Sequence, residues 1–268
     1  MAAVIGAHPS VMLAAAAKIG IDQDEYDLAG AFTGQPLEVC RARTVDVDVP
    51  AHAEIVIEGC LLAKNRGPEG PFGEYPGYAS HRSTNNVLEV SAITMRRKPV
   101  FVDIVPGNSR EHLILGHTAY EAWVYKRMKE ALPFFKDFHF PFSGVHFHCY
   151  IQIDKTAEGQ PQQAAQLLFG LDQFTKLVVV VDKDIDITNE AEVLWAIATH
   201  VQADRRISIL SNTIVNLLDP SASAAGTGSK MLIDATRPAG WEAQRISVPP
   251  DAAKRARKIL SSLFKASS

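Results

Sequence analysis

KLVVVVD, residues 176–182, is the stretch that decides the fold class. It is apolar without alternation, as expected of a strand buried on both faces. Reading outward, HFHCYIQI (146–153) is another strand, and a helix follows from near Pro161, which suits a first helical turn. Ala164, Leu167, Leu168 and Leu171 form that helix's inner face. Downstream, Asn189 with Glu192 caps a further helix, and RISIL (206–210) is the next strand. Strands alternating with helices imply a partly parallel α/β layer.

The first ~110 residues have a different texture. TVDVDVP (44–50) alternates strictly, so Val45, Val47 and Val49 share one face of a half-buried strand. AEIVIEGCLLA (53–63) and VLEVSAITMRR (87–97) read as a second and third strand, and KPVFVDIVPG (98–107) as a fourth. Residues 10–19 form a short Ala-rich helix ended by Gly20. Asn108 with Glu111 is a capping box opening a helix of about 20 residues that stops before Pro133. The expected class is α+β: a mostly antiparallel β part over 1–110, then an α/β domain over 111–268. SASAAGTGSK (221–230) is a flexible loop. In the tail, Ala256, Ile259, Leu260, Leu263 and Phe264 line one stripe opposite Lys254, Arg255, Arg257 and Lys258.

Composition narrows the function classes. A net charge of -3 over 268 residues gives no electrostatic case for nucleic acid or a membrane surface. No apolar run approaches the ~20 residues that span a bilayer. The start is apolar but lacks the basic n-region of a signal peptide. Three cysteines, odd in number and far apart, fit reduced thiols in a cytoplasm. A soluble cytoplasmic protein is expected.

Four stretches carry candidate chemistry. GPEGPFGEYPGY (67–78) places Glu69 and Glu74 among four glycines and three prolines, with Phe72, Tyr75 and Tyr78 beside them. Proline restricts the backbone and glycine allows close approach of a planar ligand. Two acids near one cavity can hold different protonation states, as general acid/base catalysis requires. Spacing alone leaves open an exposed turn with ordinary surface acids. FHFPFSGVHFHCY (138–150) holds His139, His146 and His148. An H-x-H pair on one strand face can bind a metal, but with no third ligand at a recognisable spacing a packed aromatic strand fits better. Asp182, Asp184 and Asp186 follow a buried strand and read as a metal site or a solvated strand end. Residues 226–230, GTGSK, do not satisfy the phosphate-loop pattern.

The 67–78 stretch, preceded by VPAHAEIVIEG (49–59), resembles the central motif of the UbiD family of decarboxylases, which use prenylated flavin mononucleotide. IGAHPSVMLAAA, DEYDLAGAFTGQPLEV, ITMRRKP, FTKLVVVVDKDID and GSKMLIDAT match in order, from about residue 4 to about residue 240. The resemblance implies part of a split-barrel flavin-binding domain, then a C-terminal domain that oligomerises and lines the pocket. It implies non-oxidative decarboxylation, or the reverse carboxylation, of an aromatic or α,β-unsaturated carboxylic acid. Glu74 is similar to the family's catalytic acid/base, and Glu69 to its companion, which pairs with a catalytic arginine. Glu25 resembles the glutamate ligand of the divalent metal (Mn2+ or Mg2+, with K+ beside it) that holds the cofactor phosphate. Lys176 lies where some members place cofactor- or substrate-facing side chains, and Leu115 resembles part of the pocket wall.

Full-length members carry a preceding segment that supplies the arginine, the asparagine and histidine metal ligands and much of the flavin site. No motif supports Arg41, Arg43, Arg66 or Arg82 as a replacement. The expectation is therefore one portion of a split enzyme, in a homo- or hetero-oligomer with a chain supplying that segment, and with the C-terminal stripe docked on a neighbour. The alternative is a non-catalytic UbiD-like scaffold that assembles with a complete homologue.

Overall fold

The structure is a computed structural model that describes residues 1–246 and 248–265, with the side chains of 250 and 262–265 left aside. Its contacts divide the chain into a unit from Met1 to Thr236 and a second from Arg237 onward.

The first unit opens with β1 (Ala2–Ile5), α1 (Pro9–Ala16), α2 (Glu25–Thr33), β2 (Val39–Arg41) and β3 (Asp48–Pro50). β4 (Ile55–Glu69) and β5 (Ser83–Met95) then form a long antiparallel pair, and β1 adds to the other edge of β4. Next come α3 (Arg110–Ala131), β6 (Phe135–His139), a 3-10 turn (Phe142–Gly144), β7 (His148–Ile153), α4 (Gln160–Leu171) and β8 (Leu177–Asp182). α5 (Glu190–His200), α6 (Ala203–Arg206), β9 (Ile207–Ile214) and β10 (Thr227–Asp234) complete it. Five of these strands make a mixed sheet in the order β6-β7-β8-β10-β9, with β8 parallel to both of its neighbours.

The valines of β8 explain why this sheet forms. Val178 and Val180 face a cluster with Val124 and Met128 of α3, Ala164 and Leu168 of α4, and Phe135 and Ile151. Val179 and Val181 face the other way, onto Ile185, Val193 and Ala196. All four are at most 1% exposed. Full burial of one such side chain stabilises by about 1.5–3 kcal/mol.

Elsewhere local chemistry overrides the sequence pattern. TVDVDVP is a strand only over its last three residues. The backbone N–H groups of Arg43 and Thr44 donate instead to the buried carboxylate of Glu58, at 2.9 and 2.6 Å, which bends the chain before β3. Residues 98–107 form no strand. Pro99 and Pro106 lack a donor, and the N–H of Val100 is taken by Glu54 Oε2 at 3.0 Å. α1 ends at Ala16, short of Gly20, whose N–H turns to the Gln23 side chain. Ser109, not Asn108, caps α3, its Oγ accepting from His112 N at 3.3 Å.

The loop expected at 221–230 is half strand. β10 begins at Thr227 and lies between β8 and β9, so TGSK of that stretch is sheet rather than a phosphate loop. His146 precedes β7 with φ +64°, and His148 opens the strand, so the two do not form an H-x-H pair on one strand face.

In the second unit α7 (Pro250–Lys265) forms over the apolar stripe, with Ile259 and Leu260 exposed; the side chains of Leu263 and Phe264 lie outside the described ones. Cys40, Cys60 and Cys149 are free thiols. Among the described residues no helix is long and apolar enough to cross a membrane.

Candidate active site

The Gly/Pro stretch is the connection between β4 and β5. Its first three residues are still strand: Gly67, Pro68 and Glu69 pair with Asn85, Thr84 and Ser83. The Glu69 carboxylate accepts from Asn85 Nδ2 at 2.9 and 3.1 Å and from Ser83 Oγ at 3.4 Å. Glu69 is therefore a strand residue aimed by the opposite strand, not a loop residue.

Beyond it the chain folds into a small hairpin. Phe72 O accepts from Ser80 N at 2.8 Å, Glu74 N donates to Tyr78 O at 2.9 Å, and Gly77 N donates to Glu74 O at 2.9 Å. Two glycines make this possible. Gly70 has φ +72°, and a Cβ there would stand 3.1 Å from Ser80 Oγ; one at Gly73 would press on the Pro106 carbonyl oxygen at 3.1 Å. Glu74 is half-buried in this hairpin, and the side chains of Phe72 and Tyr78 are exposed.

Tyr75 fastens the hairpin to the rest of the unit. Only 8% exposed, it sets its ring against His112 and His117 of α3 and against Phe147 and Phe174, with centroids 5.9–6.2 Å apart. Burial, and then the charge of Asp172, pushes its phenol far above the ordinary range, so it stays neutral. Its hydroxyl is buried without a hydrogen-bond partner.

Lys176 reaches the same cluster. Its Nζ lies 5.8 Å from the Phe147 ring centroid and donates to Asp219 Oδ2 and Ser221 Oγ, both at 2.7 Å. Burial alone would raise the Asp219 carboxyl, but the hydrogen bonds from Lys176 and Ser221 outweigh it and hold it below its ordinary value. Leu115 is half-buried on α3, yet it is Leu113 that packs with Tyr75 and Phe147.

Glu25 stands exposed in the first turn of α2, next to the capping Asp24, whose Oδ1 accepts from Tyr26 N at 2.8 Å. Among the described residues no three His, Cys, Asp or Glu side chains gather as a metal cage. Nor does any described arginine pair with Glu69 or Glu74. Arg66 donates to Thr84 and Asn86, and Arg41 pairs with Asp46 and Asp48.

One group escaped sequence reasoning. Asp172, just past α4, is 1% exposed and accepts from Phe174 N and Thr175 N at 3.0 Å each and from Thr175 Oγ1. Nε2 of the buried His146 lies 3.6 Å from Asp172 Oδ2. A signal was present in DQFT (172–175), where an Asp with a Thr three residues on suits a side-chain-closed turn.

The sheet order and the braced Glu-bearing hairpin define a two-part α+β scaffold with an acid held at the end of a long β-ribbon. Residues 1–109 match the 3-octaprenyl-4-hydroxybenzoate carboxy-lyase Rift-related domain of UbiD, and residues 113–235 match the C-terminal domain of that carboxy-lyase. The chain belongs to the UbiD family. It is similar to the UbiD-class enzyme HmfF from Pelotomaculum thermopropionicum in complex with FMN, at 44% identity and TM-score 0.88, over 96% of this chain and 58% of that one. Vanillic acid decarboxylase (ShVdcCD) of Sedimentibacter hydroxybenzoicus in closed form matches at 30% identity and TM-score 0.84, over 98% of this chain and 57% of that one. Apo 3,4-dihydroxybenzoic acid decarboxylase (AroY) of Klebsiella pneumoniae matches at 26% identity and TM-score 0.82, over 95% and 58%. The chain thus spans less than three-fifths of the length of these solved relatives.

Proposed function

We propose that this chain is the portion of a prenylated-FMN-dependent decarboxylase that carries its proton-transfer acid, acting on an aromatic or α,β-unsaturated carboxylic acid. The observation that carries the reading is the hairpin around Glu74, closed by its own backbone hydrogen bonds and wedged in place by the buried Tyr75. A decorated surface turn has no need of such bracing, whereas a proton donor must be held within reach of one carbon.

The residues present suit one wall of a flavin site. Phe72 and Tyr78 offer flat apolar surface, and Glu74, between them in sequence, offers a titratable group. When bound, the flavin supplies the electron sink for the departing carbon dioxide. This chain's residues then do the rest. Glu74 delivers the proton to the carbon that loses its carboxyl group, or removes it in the reverse direction. Glu69, oriented by Asn85, offers its carboxylate to an arginine from outside this chain. Lys176, set by Asp219 and Ser221, holds a positive charge near the Tyr75 cluster.

Glu25 would give one ligand to the divalent metal at the cofactor phosphate, Mn2+ or Mg2+ with K+ beside it. The remaining ligands would come from the polypeptide that corresponds to the unmatched two-fifths of the relatives. We place the boundary between the β part and the α/β part near residue 110.

The test is to prepare the chain with prenylated FMN and Mn2+, with and without a polypeptide supplying that segment. Carbon dioxide release from a panel of aromatic acids is measured together with the flavin spectrum. Turnover dependent on the companion is expected. Full flavin occupancy without carbon dioxide release from any acid would reject the reading.

A further inference from the structure

Lys230 of β10 is a buried cation held by neutral groups. It is 2% exposed, and its Nζ donates to Asp172 O at 2.7 Å and reaches Phe169 O at 3.5 Å. The Phe169 ring centroid lies 5.3 Å from the same amine. The Asp172 carboxylate is itself taken by the N–H groups of Phe174 and Thr175 and by Thr175 Oγ1. The carbonyl end of α4 adds about half a negative charge. Burial pulls the Lys230 ammonium below its ordinary value, and the charge of Asp172 offsets this only in part. A buried charge without a full counter-charge is costly.

The backbone beside Lys230 is irregular. Gly228 pairs with Thr213 but Lys230 pairs with Leu210, so β9 carries one extra residue between them, and Asn212 within it has φ +57°. Bulges of this kind re-aim side chains and collect beside functional sites.

Lys230 lines a cavity of about 690 Å³ between the end of α4, β9 and Lys18. Lys18 brings a second ammonium, with Nζ 4.7 Å from the Tyr120 ring centroid and 5.2 Å from that of Trp123. Among the described residues no carboxylate lines the cavity or pairs with either amine. Gln166 and Thr213 add neutral hydrogen-bonding groups, and Phe169 and Leu210 add apolar surface. The cavity thus offers two cations, no acid, and an apolar wall in a space of small-ligand size.

We propose that this cavity binds a phosphate monoester with a small apolar body, its dianionic head between Lys18 and Lys230 and its body against Phe169 and Leu210. Two unpaired ammonium groups call for two negative charges, which one carboxylate does not supply. Lysine meets phosphate as a point charge, with no need of the forked geometry that arginine brings. The cavity shares no residue with the Glu74 hairpin or with Glu25, and the proposal does not rest on the decarboxylase reading.

The purified chain is titrated by calorimetry at neutral pH with n-butyl phosphate, pentanoate (one charge, similar body) and inorganic phosphate (no body). One n-butyl phosphate per chain is expected, bound at least about ten-fold more tightly than either other probe. Lys18→Ala, at an exposed position, should weaken it by roughly ten-fold or more. Lys230→Met, which keeps an unbranched side chain without the charge, should abolish the preference over pentanoate. If that variant does not fold, amide shifts in the natural chain decide instead, and they should fall on residues 166–173 and 210–214. No saturable binding up to ~10 mM, binding indifferent to Lys18→Ala, either other probe binding as tightly, or shifts confined to residues 24–31 would each overturn the proposal.

Discussion

β5 and β8 both carry valine and other aliphatic side chains along a strand, and these end in opposite situations. In β8, Val178 to Val181 are covered from both sides, by α3 and α4 on one face and α5 on the other. In β5, Val90, Ile93 and Met95 are 48, 56 and 59% exposed, and no described strand pairs with its outer edge. Long apolar edges are normally paired or covered. The five-stranded half of the unit is a core that closes on itself; the β4–β5 ribbon has the character of an unfinished surface. The two proposed catalytic acids sit on the ribbon, and Tyr75 ties them to the core. Stability and chemistry are thus placed in different halves of one unit.

The comparison can be broken most directly by truncation. Phe135, fully buried against β7, should cost about 3–5 kcal/mol as Phe135→Ala. Ile93→Ala on the ribbon should stay within about 0.5 kcal/mol. Urea denaturation measures both, and equal losses would mean the ribbon is covered after all.

The tie between the halves comes next. Tyr75→Ala should destabilise by about 3 kcal/mol or more and speed hydrogen exchange at the Glu74 amide. Tyr75→Phe, which removes only an unpartnered buried hydroxyl, should be close to neutral. A large penalty for the Phe variant would show that the hydroxyl has a partner.

Two carboxylates sharpen the contrast through pH. Burial pushes Glu121 from an ordinary 4.5 up to about 7. The folded chain keeps a proton that the unfolded chain has lost between those values, so stability falls as pH rises through that window. Glu121→Gln should flatten the decline in Tm between pH 5 and pH 8, and an unchanged slope would exclude Glu121 as its source. Glu58 behaves in the opposite sense. Hydrogen bonds from Arg43 and Thr44 hold its carboxyl low despite some desolvation, so its stabilisation is present above the ordinary carboxylate pKa and fades as pH falls through the lowered value. Glu58→Gln should lower Tm modestly at neutral pH and leave the acid limb less steep. An acid limb as steep as that of the natural chain would argue against this role.

The sequence disclosed one half of the molecule better than the other, for a physical reason. A strand buried on both faces must be apolar throughout, so KLVVVVD was readable without any partner in view. TVDVDVP carries an equally clear alternation, yet its strand fails because the Glu58 carboxylate, fourteen residues on, takes the N–H groups that a ladder would use. Residues 227–230 read as loop because Gly and Ser weaken any strand signal, and only antiparallel pairing with β9 makes them sheet. In the candidate site, Glu69 and Glu74 stood out by local composition. The neighbours that brace the hairpin, His112, His117, Phe147 and Phe174, are scattered over three later segments and no local pattern joins them to it.

The central claim is that the braced hairpin exists to present Glu74 as a proton-transfer group. Glu74→Gln in the flavin-loaded, reconstituted enzyme tests it most directly, because glutamine keeps the size and hydrogen-bonding reach of the side chain and cannot give up the proton. Positioned acid/base groups contribute roughly 10²–10⁴-fold in rate, so decarboxylation should slow at least about 100-fold while flavin occupancy and the tyrosine-anchored fold persist. Full occupancy with turnover near that of the natural chain would contradict the account and leave the hairpin without its assigned chemistry.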